Sequence, residues 1–242
     1  METKKNIVIT GASGSLGSAI IEELLKGREN YQIFAISRKP LTNFNDLRIN
    51  NLLLDLNRIN GIEKNIRNYI GNTPIHCIIN CAGVCKSKEF TERKISSIIE
   101  QINVNLTSTI LVCRLLLDNL AEGSHIINVA SLMGRIPSKY YTVYSATKFG
   151  LVGFGEALRM ELTERNIKVS TVLPSLFESK MAKGAKTPNI IKPVPAEEIA
   201  GEIVNIMFRH EGLKTIGLLS ALSVIVERFM PLINRNISKG VS

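Results

Sequence analysis

Lys5-Asn-Ile-Val-Ile-Thr10-Gly-Ala-Ser-Gly-Ser-Leu-Gly17 decides the fold. Residues 5–10 are a short apolar run that stops at glycine, the pattern of a parallel strand buried on both faces. Beyond Gly17 the apolar residues Ala19, Ile20, Leu24 and Leu25 recur at helical spacing. A strand, a glycine-rich turn and a helix start together make an anion site. Gly11, Gly14 and Gly17 leave room for a pyrophosphate, and the helix start supplies free N–H groups and positive dipole. Ser13, Ser15 and Leu16 complete the turn and are candidate cofactor contacts. Glycines in an isolated turn are often structural; between these two elements they point to a dinucleotide.

Outward from that turn, apolar runs alternate with amphipathic stretches. Strands are predicted at 31–37, 51–56, 75–80, 123–131, 167–173 and 213–219, and helices at 58–70, 95–120 and 142–165. Such alternation, without repeats or a linker, predicts one doubly wound parallel sheet of about seven strands with helices on both faces, a Rossmann-type single domain over 1–242. The second strand ends in Ser37-Arg38. An unphosphorylated adenosine ribose usually meets a carboxylate there, and none is present. Arg38 can instead grip a 2′-phosphate by charge-assisted hydrogen bonds, which favours NADP(H), with NAD(H) as the alternative. Between Pro174 and Pro195 the composition turns to Lys, Gly, Ser, Thr and Pro, reading as a mobile substrate loop at about 175–194.

The 242 residues are 45% hydrophobic and 21% charged, ordinary for a soluble globular chain with a sizeable core. Met1-Glu-Thr-Lys-Lys runs directly into a strand with no signal region, and no apolar run reaches membrane-spanning length, so the cytoplasm is expected. The net charge of +9 is dispersed rather than gathered into a basic, aromatic-rich motif, which argues against nucleic acid as a partner. His76, Cys77, Cys81 and Cys85 lack a Cys-x-x-Cys pair, and with Cys113 they read as small apolar fillers rather than metal ligands or disulfides.

Chemistry enters at Tyr144-Ser-Ala-Thr-Lys148, with Ser131 thirteen residues earlier. Residues four apart share a helix face, so a phenol and an ammonium meet in one volume. A nearby cation favours the phenolate and is expected to lower the tyrosine pKa from about 10 toward a range useful for proton transfer. Ser131, at the carboxyl end of the fifth strand, would hold a substrate oxygen beside that phenol, at the edge where open α/β sheets bind ligands.

Together these motifs resemble the short-chain dehydrogenase/reductase family in its single-domain form, over residues 5–217. By that resemblance Gly11, Gly14 and Gly17 form the dinucleotide turn, and Ser37 and Arg38 meet the adenosine phosphate. Asp55 and Leu56 approach the adenine, while Asn80, Ala82 and Gly83 line the cofactor cleft. Pro174 and Ser179 lie beside the nicotinamide. The family's catalytic quartet maps onto Asn105, Ser131, Tyr144 and Lys148. The implied reaction is hydride transfer between a nicotinamide and a carbonyl or alcohol. Tyr144 is the proton donor, Ser131 holds the substrate oxygen, and Lys148 holds the ribose and lowers the tyrosine pKa. Asn105 positions water for proton resupply. The glycine spacing is more typical of larger, two-part members, Cys81 and Ser175 replace an asparagine and a glycine, and Ser179 stands where a threonine is common.

Two other readings compete. A sugar-nucleotide epimerase or dehydratase would need a longer C-terminal substrate domain than the 68 residues after Pro174. A non-catalytic NADP-binding regulator would have no use for a complete quartet. The long apolar helices at 95–120 and 142–165 predict a homodimer or homotetramer, as the family commonly forms. At 218–235 an apolar stripe with basic residues reads first as a terminal helix buried on its own domain, and otherwise as a cover for the substrate pocket, a contact with a second subunit, or, less favoured, a membrane-surface segment.

Overall fold

The computed structural model describes residues 4–27, 29–179, 193–209 and 212–217. Seven strands form one parallel sheet in the order β3-β2-β1-β4-β5-β6-β7, where β1 is Lys5–Thr10, β2 Tyr31–Ser37, β3 Ile49–Leu53, β4 Ile75–Asn80, β5 Leu120–Val129, β6 Lys168–Pro174 and β7 Leu213–Ile216. The chain runs outward from β1 to β3, then returns to pair β4 against β1 with Thr10 opposite Asn80. That reversal is the topological switch point, and ligands bind in the crevice outside the carboxyl ends of the strands there.

Burial explains the strand sequences. The central strands are nearly continuous apolar runs, with Ile7, Val8, Ile9, Ile33, Ile36, Ile78, Ile79, Ile126 and Ile127 fully buried. One face is covered by α1 (Ser15–Lys26) and α6 (Ala196–Arg209), the other by α2 (Ile59–Ile70), α4 (Ser108–Leu116) and α5 (Thr142–Leu162). The two hydrophobic clusters they enclose sandwich the sheet.

Several boundaries move. The third strand is Ile49–Leu53 rather than 51–56, because Leu54 has already left the ladder and Leu54 and Leu56 turn into the core. The fifth is Leu120–Val129, leaving Ser131 just past its end as the N-cap of a short 3₁₀ turn, where its Oγ accepts from the Met133 N–H at 3.2 Å. The expected long helix over 95–120 is two helices, α3 (Ile95–Ile102) and α4, joined by a π-turn at Asn103–Thr107. Helix α6 was not anticipated, because its apolar positions follow directly on the polar loop. The loop at 175–194 and the 213–219 strand lie only partly, and the 218–235 stripe wholly, outside the described residues. Among the described residues, no helix is long and apolar enough to cross a membrane.

Candidate active site

Gly11 ends β1 with a φ of +70°, a conformation that favours glycine. A Cβ there would also stand 2.7 Å from the Ala82 Cα, so the glycine turn and the Asn80–Gly83 loop touch backbone to backbone. The Thr10 hydroxyl fastens them, accepting from the Ala82 N–H at 3.2 Å. Gly17 is as constrained: a Cβ there would lie 2.3 Å from the Gly11 carbonyl oxygen, so only glycine lets α1 pack on the turn. Helix α1 begins at Ser15 behind Gly14, and no side chain caps its free N–H groups. Ser13 and Gly14 are exposed, Ser15 is half-buried, and Leu16 is buried with only its backbone to offer. An uncapped helix start, crowded by glycines and open to solvent, fits the pyrophosphate of a dinucleotide.

The adenosine side is less uniform. Arg38 is exposed at the end of β2 and, among the described residues, forms no ion pair with a carboxylate. Ser37 is buried instead, and its hydroxyl donates to the Lys39 carbonyl at 2.6 Å. The last strand position points inward, so its hydroxyl is engaged by the turn that follows. Asp55 is half-buried and its Oδ1 accepts from the Asn57 N–H at 3.1 Å.

The quartet assembles at the carboxyl edge. Helix α5 carries both Tyr144 and Lys148, and Lys148, buried, donates from Nζ to the Val129 carbonyl at 2.8 Å. Its Nζ lies 5.7 Å from the Tyr144 ring centroid. Asn105 sits in the π-turn, whose widened backbone aims the side chain inward. Its Oδ1 accepts from the Val84 N–H at 2.7 Å, while Nδ2 donates to the Val84 carbonyl at 2.9 Å and to the Thr147 hydroxyl at 3.2 Å. Both amide hydrogens are thus engaged, leaving acceptor capacity on Oδ1 alone. A Cβ on Gly83 would stand 3.6 Å from that oxygen and 3.8 Å from Lys148 Nζ, so loop, asparagine and lysine converge. Pro174 is buried at the end of β6, and Ser179 is half-buried beyond it.

Electrostatics overturn one expectation. Burial pushes the Tyr144 phenol above its ordinary pKa, the Cys85 thiol adds to this, and hydrogen bonding with Ser131 opposes it. Lys148, 5.7 Å from the ring centroid, does not outweigh that burial. Burial brings the lysine's own pKa down to about 8, against the raising effect of Cys81 and Cys85. An ammonium weakened by desolvation and engaged by a carbonyl counts for little against the burial of its neighbour.

The cysteines take no ligand geometry. Cys77 and Cys113 are buried, and burial pushes the Cys81 thiol to about 12 and the Cys85 thiol to about 11. His76 faces away from Cys77 on β4, and its Nδ1 accepts from the Asn6 N–H at 3.0 Å. No group of three possible metal ligands occurs among the described residues. Thr10 and Thr147, which brace the turn and Asn105, were missed; a threonine beside a glycine or inside a helix carries no distinguishing sequence signal.

Comparisons with known proteins agree with this fold. A family model described as short chain dehydrogenase matches residues 5–189. Carbonyl reductase family member 4 of Xenopus laevis is 27% identical over 217 residues, covering 83% of this chain and 89% of the relative. A 3-oxoacyl-(acyl-carrier-protein) reductase of Buchnera aphidicola is 31% identical over 198 residues, covering 78% and 80%. Among solved structures, a short chain dehydrogenase from Burkholderia cenocepacia in complex with NADP superimposes with a TM-score of 0.83 at 20% identity, covering 98% and 99%. A 4-hydroxyisoleucine dehydrogenase complexed with NADH gives 0.77 at 20%, covering 88% and 96%. The structural likenesses establish the fold.

Proposed function

The chain belongs to the short-chain dehydrogenase family, and on that premise we propose that it is an NADP(H)-dependent oxidoreductase that reduces a carbonyl to an alcohol at Ser131, Tyr144, Lys148 and Asn105. The observation that carries the reading is the buried Lys148, held by the Val129 carbonyl with its Nζ 5.7 Å from the Tyr144 ring centroid, at the carboxyl edge next to the switch point. The nicotinamide supplies the hydride; the chain supplies position and a proton.

A phenol whose pKa is raised stays protonated at neutral pH, which suits it to give a proton to a developing alkoxide. Ser131 accepts from the Met133 N–H, and its hydroxyl, which bonds the Tyr144 phenol here, would turn its hydrogen to a substrate oxygen placed between the two. Lys148, with its pKa near 8, can return a proton to the tyrosine near physiological pH. Asn105 braces the Val84 backbone and keeps one acceptor position for a water on the route to that lysine. Arg38, exposed where a ribose-binding acid is missing, supports the phosphorylated cofactor. The neighbour with NADP and the neighbour with NADH mark the two alternatives.

We further propose a homodimer or homotetramer built on α3, α4 and α5. Ile95, Ile99, Ile102, Phe149 and Met160 on these helices are 71%, 50%, 40%, 41% and 65% exposed. So much apolar surface on adjacent helices calls for a partner, and a second copy brings the same stripe.

The deciding experiment follows NADPH oxidation against a panel of ketones and aldehydes. Turnover that disappears in Tyr144→Phe supports the assignment. Tight NADPH binding without turnover of any carbonyl sinks it in favour of a non-catalytic binder.

A further inference from the structure

Thr147 stands on α5 between the two residues that carry the chemistry, three positions after Tyr144 and one before Lys148. Only 2% of it is exposed, and its hydroxyl is used on both sides. The hydrogen goes to the Tyr144 carbonyl at 2.7 Å. The oxygen accepts from Asn105 Nδ2 at 3.2 Å. One small hydroxyl therefore joins the backbone of Tyr144 to the amide of Asn105.

The direction of those bonds matters. A hydroxyl has one hydrogen, and here a helix carbonyl holds it, so toward Asn105 the group can only accept. Asn105 must then present its NH2 to Thr147 and its Oδ1 elsewhere. The Val84 N–H donates to Oδ1 at 2.7 Å, and the Val84 carbonyl takes the second amide hydrogen at 2.9 Å. Asn105 is 0% exposed, so bulk water replaces no lost partner. Without the hydroxyl, one N–H would be buried and unpaired, which favours rotation of the amide about its last bond. That rotation takes Oδ1 off the Val84 N–H and swings away its free lone pair, the acceptor position kept for a water on the route to Lys148.

The start of α5 has little else to hold it. The helix begins at Thr142, with Tyr144 in its first turn, and no side chain caps its free N–H groups. One turn beyond Thr147 the contact with the π-turn continues as apolar packing, since a Cβ on Gly150 would stand 3.0 Å from Leu106 Cδ2. The Thr147–Asn105 bond is the polar end of that contact, on the side of the reacting groups.

We propose that Thr147 is a positioning residue for the reaction, whose hydroxyl fixes which way the Asn105 amide faces and ties it to the turn carrying Tyr144. The proposal rests on the oxidoreductase reading. It assigns Thr147 to proton supply rather than to hydride transfer or cofactor binding, because its one side-chain hydrogen-bond partner among the described residues is Asn105.

The test compares Thr147→Val, which keeps the shape and loses the hydroxyl, with Thr147→Ser, which keeps the hydroxyl. Thr147→Val should lower kcat by about tenfold, the order of one hydrogen bond, with NADPH affinity and KM within about threefold. Thr147→Ser should keep kcat within about threefold of wild type. Slowed proton supply should enlarge the solvent deuterium isotope effect on kcat in Thr147→Val and shrink the effect of a deuterated nicotinamide. In the Asn105→Ala background, Thr147→Val should cost less than about twofold in kcat. NMR reads the Asn105 side-chain amide without turnover: its hydrogens should exchange with solvent faster in Thr147→Val and not in Thr147→Ser. Thr147→Ala, which cannot clash, takes the place of Thr147→Val if that variant does not fold. Equal losses with and without Asn105, a Thr147→Ser enzyme as slow as Thr147→Val, or unchanged amide exchange in Thr147→Val overturns the proposal. A wild type that binds NADPH but turns over no carbonyl removes the oxidoreductase reading, and amide exchange still decides whether Thr147 holds Asn105.

Discussion

Lys148 donates its ammonium to the main-chain carbonyl of Val129 at 2.8 Å, tying the middle of α5 to the end of β5 across 19 positions of sequence. A lysine so deeply placed is charged at a cost. Burial lowers its pKa from 10.5 to about 8, and 10.5 − 8 = 2.5. In that window the unfolded chain binds the proton that the folded chain has released, so this group makes stability rise with pH from about 8 to 10.5.

Lys148→Met should therefore stop turnover and still stabilise the fold at pH 7. The shift corresponds to about 3 kcal/mol at most, reduced by loss of the bond to Val129. Denaturant midpoints of the two proteins at pH 7 and pH 10 measure it. The gap should narrow at the higher pH; a variant that is less stable at both would contradict a burial penalty on the lysine.

Tyr144→Phe should leave NADPH affinity within a few-fold and lower kcat by at least about 100-fold, since only the proton-bearing oxygen is removed. Ser131→Ala should lower kcat less, and should raise the phenol pKa further by removing the hydrogen bond that opposes burial. The checks are stopped-flow hydride transfer and ultraviolet titration of the tyrosine. A Tyr144→Phe enzyme with normal kcat would falsify the assigned proton donor.

Arg38→Asp should weaken NADPH binding by about 10- to 100-fold and leave NADH nearly unchanged, as expected for one charge-assisted contact to a phosphate. Fluorescence titration of both cofactors at fixed salt gives the ratio. Equal wild-type affinities for the two would remove the NADP preference while leaving the fold untouched.

The doubly wound parallel sheet, the glycine turn and the Tyr–Lys pair were legible because they depend on local pattern. A buried strand stopping at Gly11 and a Tyr–Lys pair four apart on a helix are properties of short windows. The π-turn was not, since Asn103 and Asn105 in an apolar stretch read equally as polar interruptions of one helix. Nor was the direction of the Tyr144 shift: spacing shows that a cation is near, but not that both groups lose water together. The inward turn of Ser37 was not legible either, because a strand-end serine can face either way, and here the Lys39 carbonyl takes its hydroxyl. Thr147 sits within the Tyr–Lys stretch, but only the fold shows it between Asn105 and the Tyr144 carbonyl.

Ile99→Asp should shift the protein toward monomer, since a charge on an exposed apolar stripe costs little in the free chain and much in a dry interface. Light scattering at micromolar concentration reads the change. A wild type that is already monomeric there would reject the proposed assembly.

Gly155 lies in the middle of α5, where it faces β6 with no room to spare. A Cβ at that position would stand 2.0 Å from Thr171 Oγ1 and 3.3 Å from Thr171 Cβ. The Thr171 hydroxyl is itself buried without a hydrogen-bond partner among the described residues, so the strand loses little if it goes. Gly155→Ala alone should cost about 1–3 kcal/mol through overpacking, despite the better helix propensity of alanine. Adding Thr171→Ala removes the clashing oxygen and should restore most of that loss, giving a coupling well above the additivity error of about 0.5 kcal/mol. Because α5 carries Tyr144 and Lys148, the single variant should also lose turnover and the double variant regain it. Urea denaturation and kcat, measured on all four members of the cycle, decide the matter. Additive effects would mean that α5 relaxes away from β6 rather than being pinned against it.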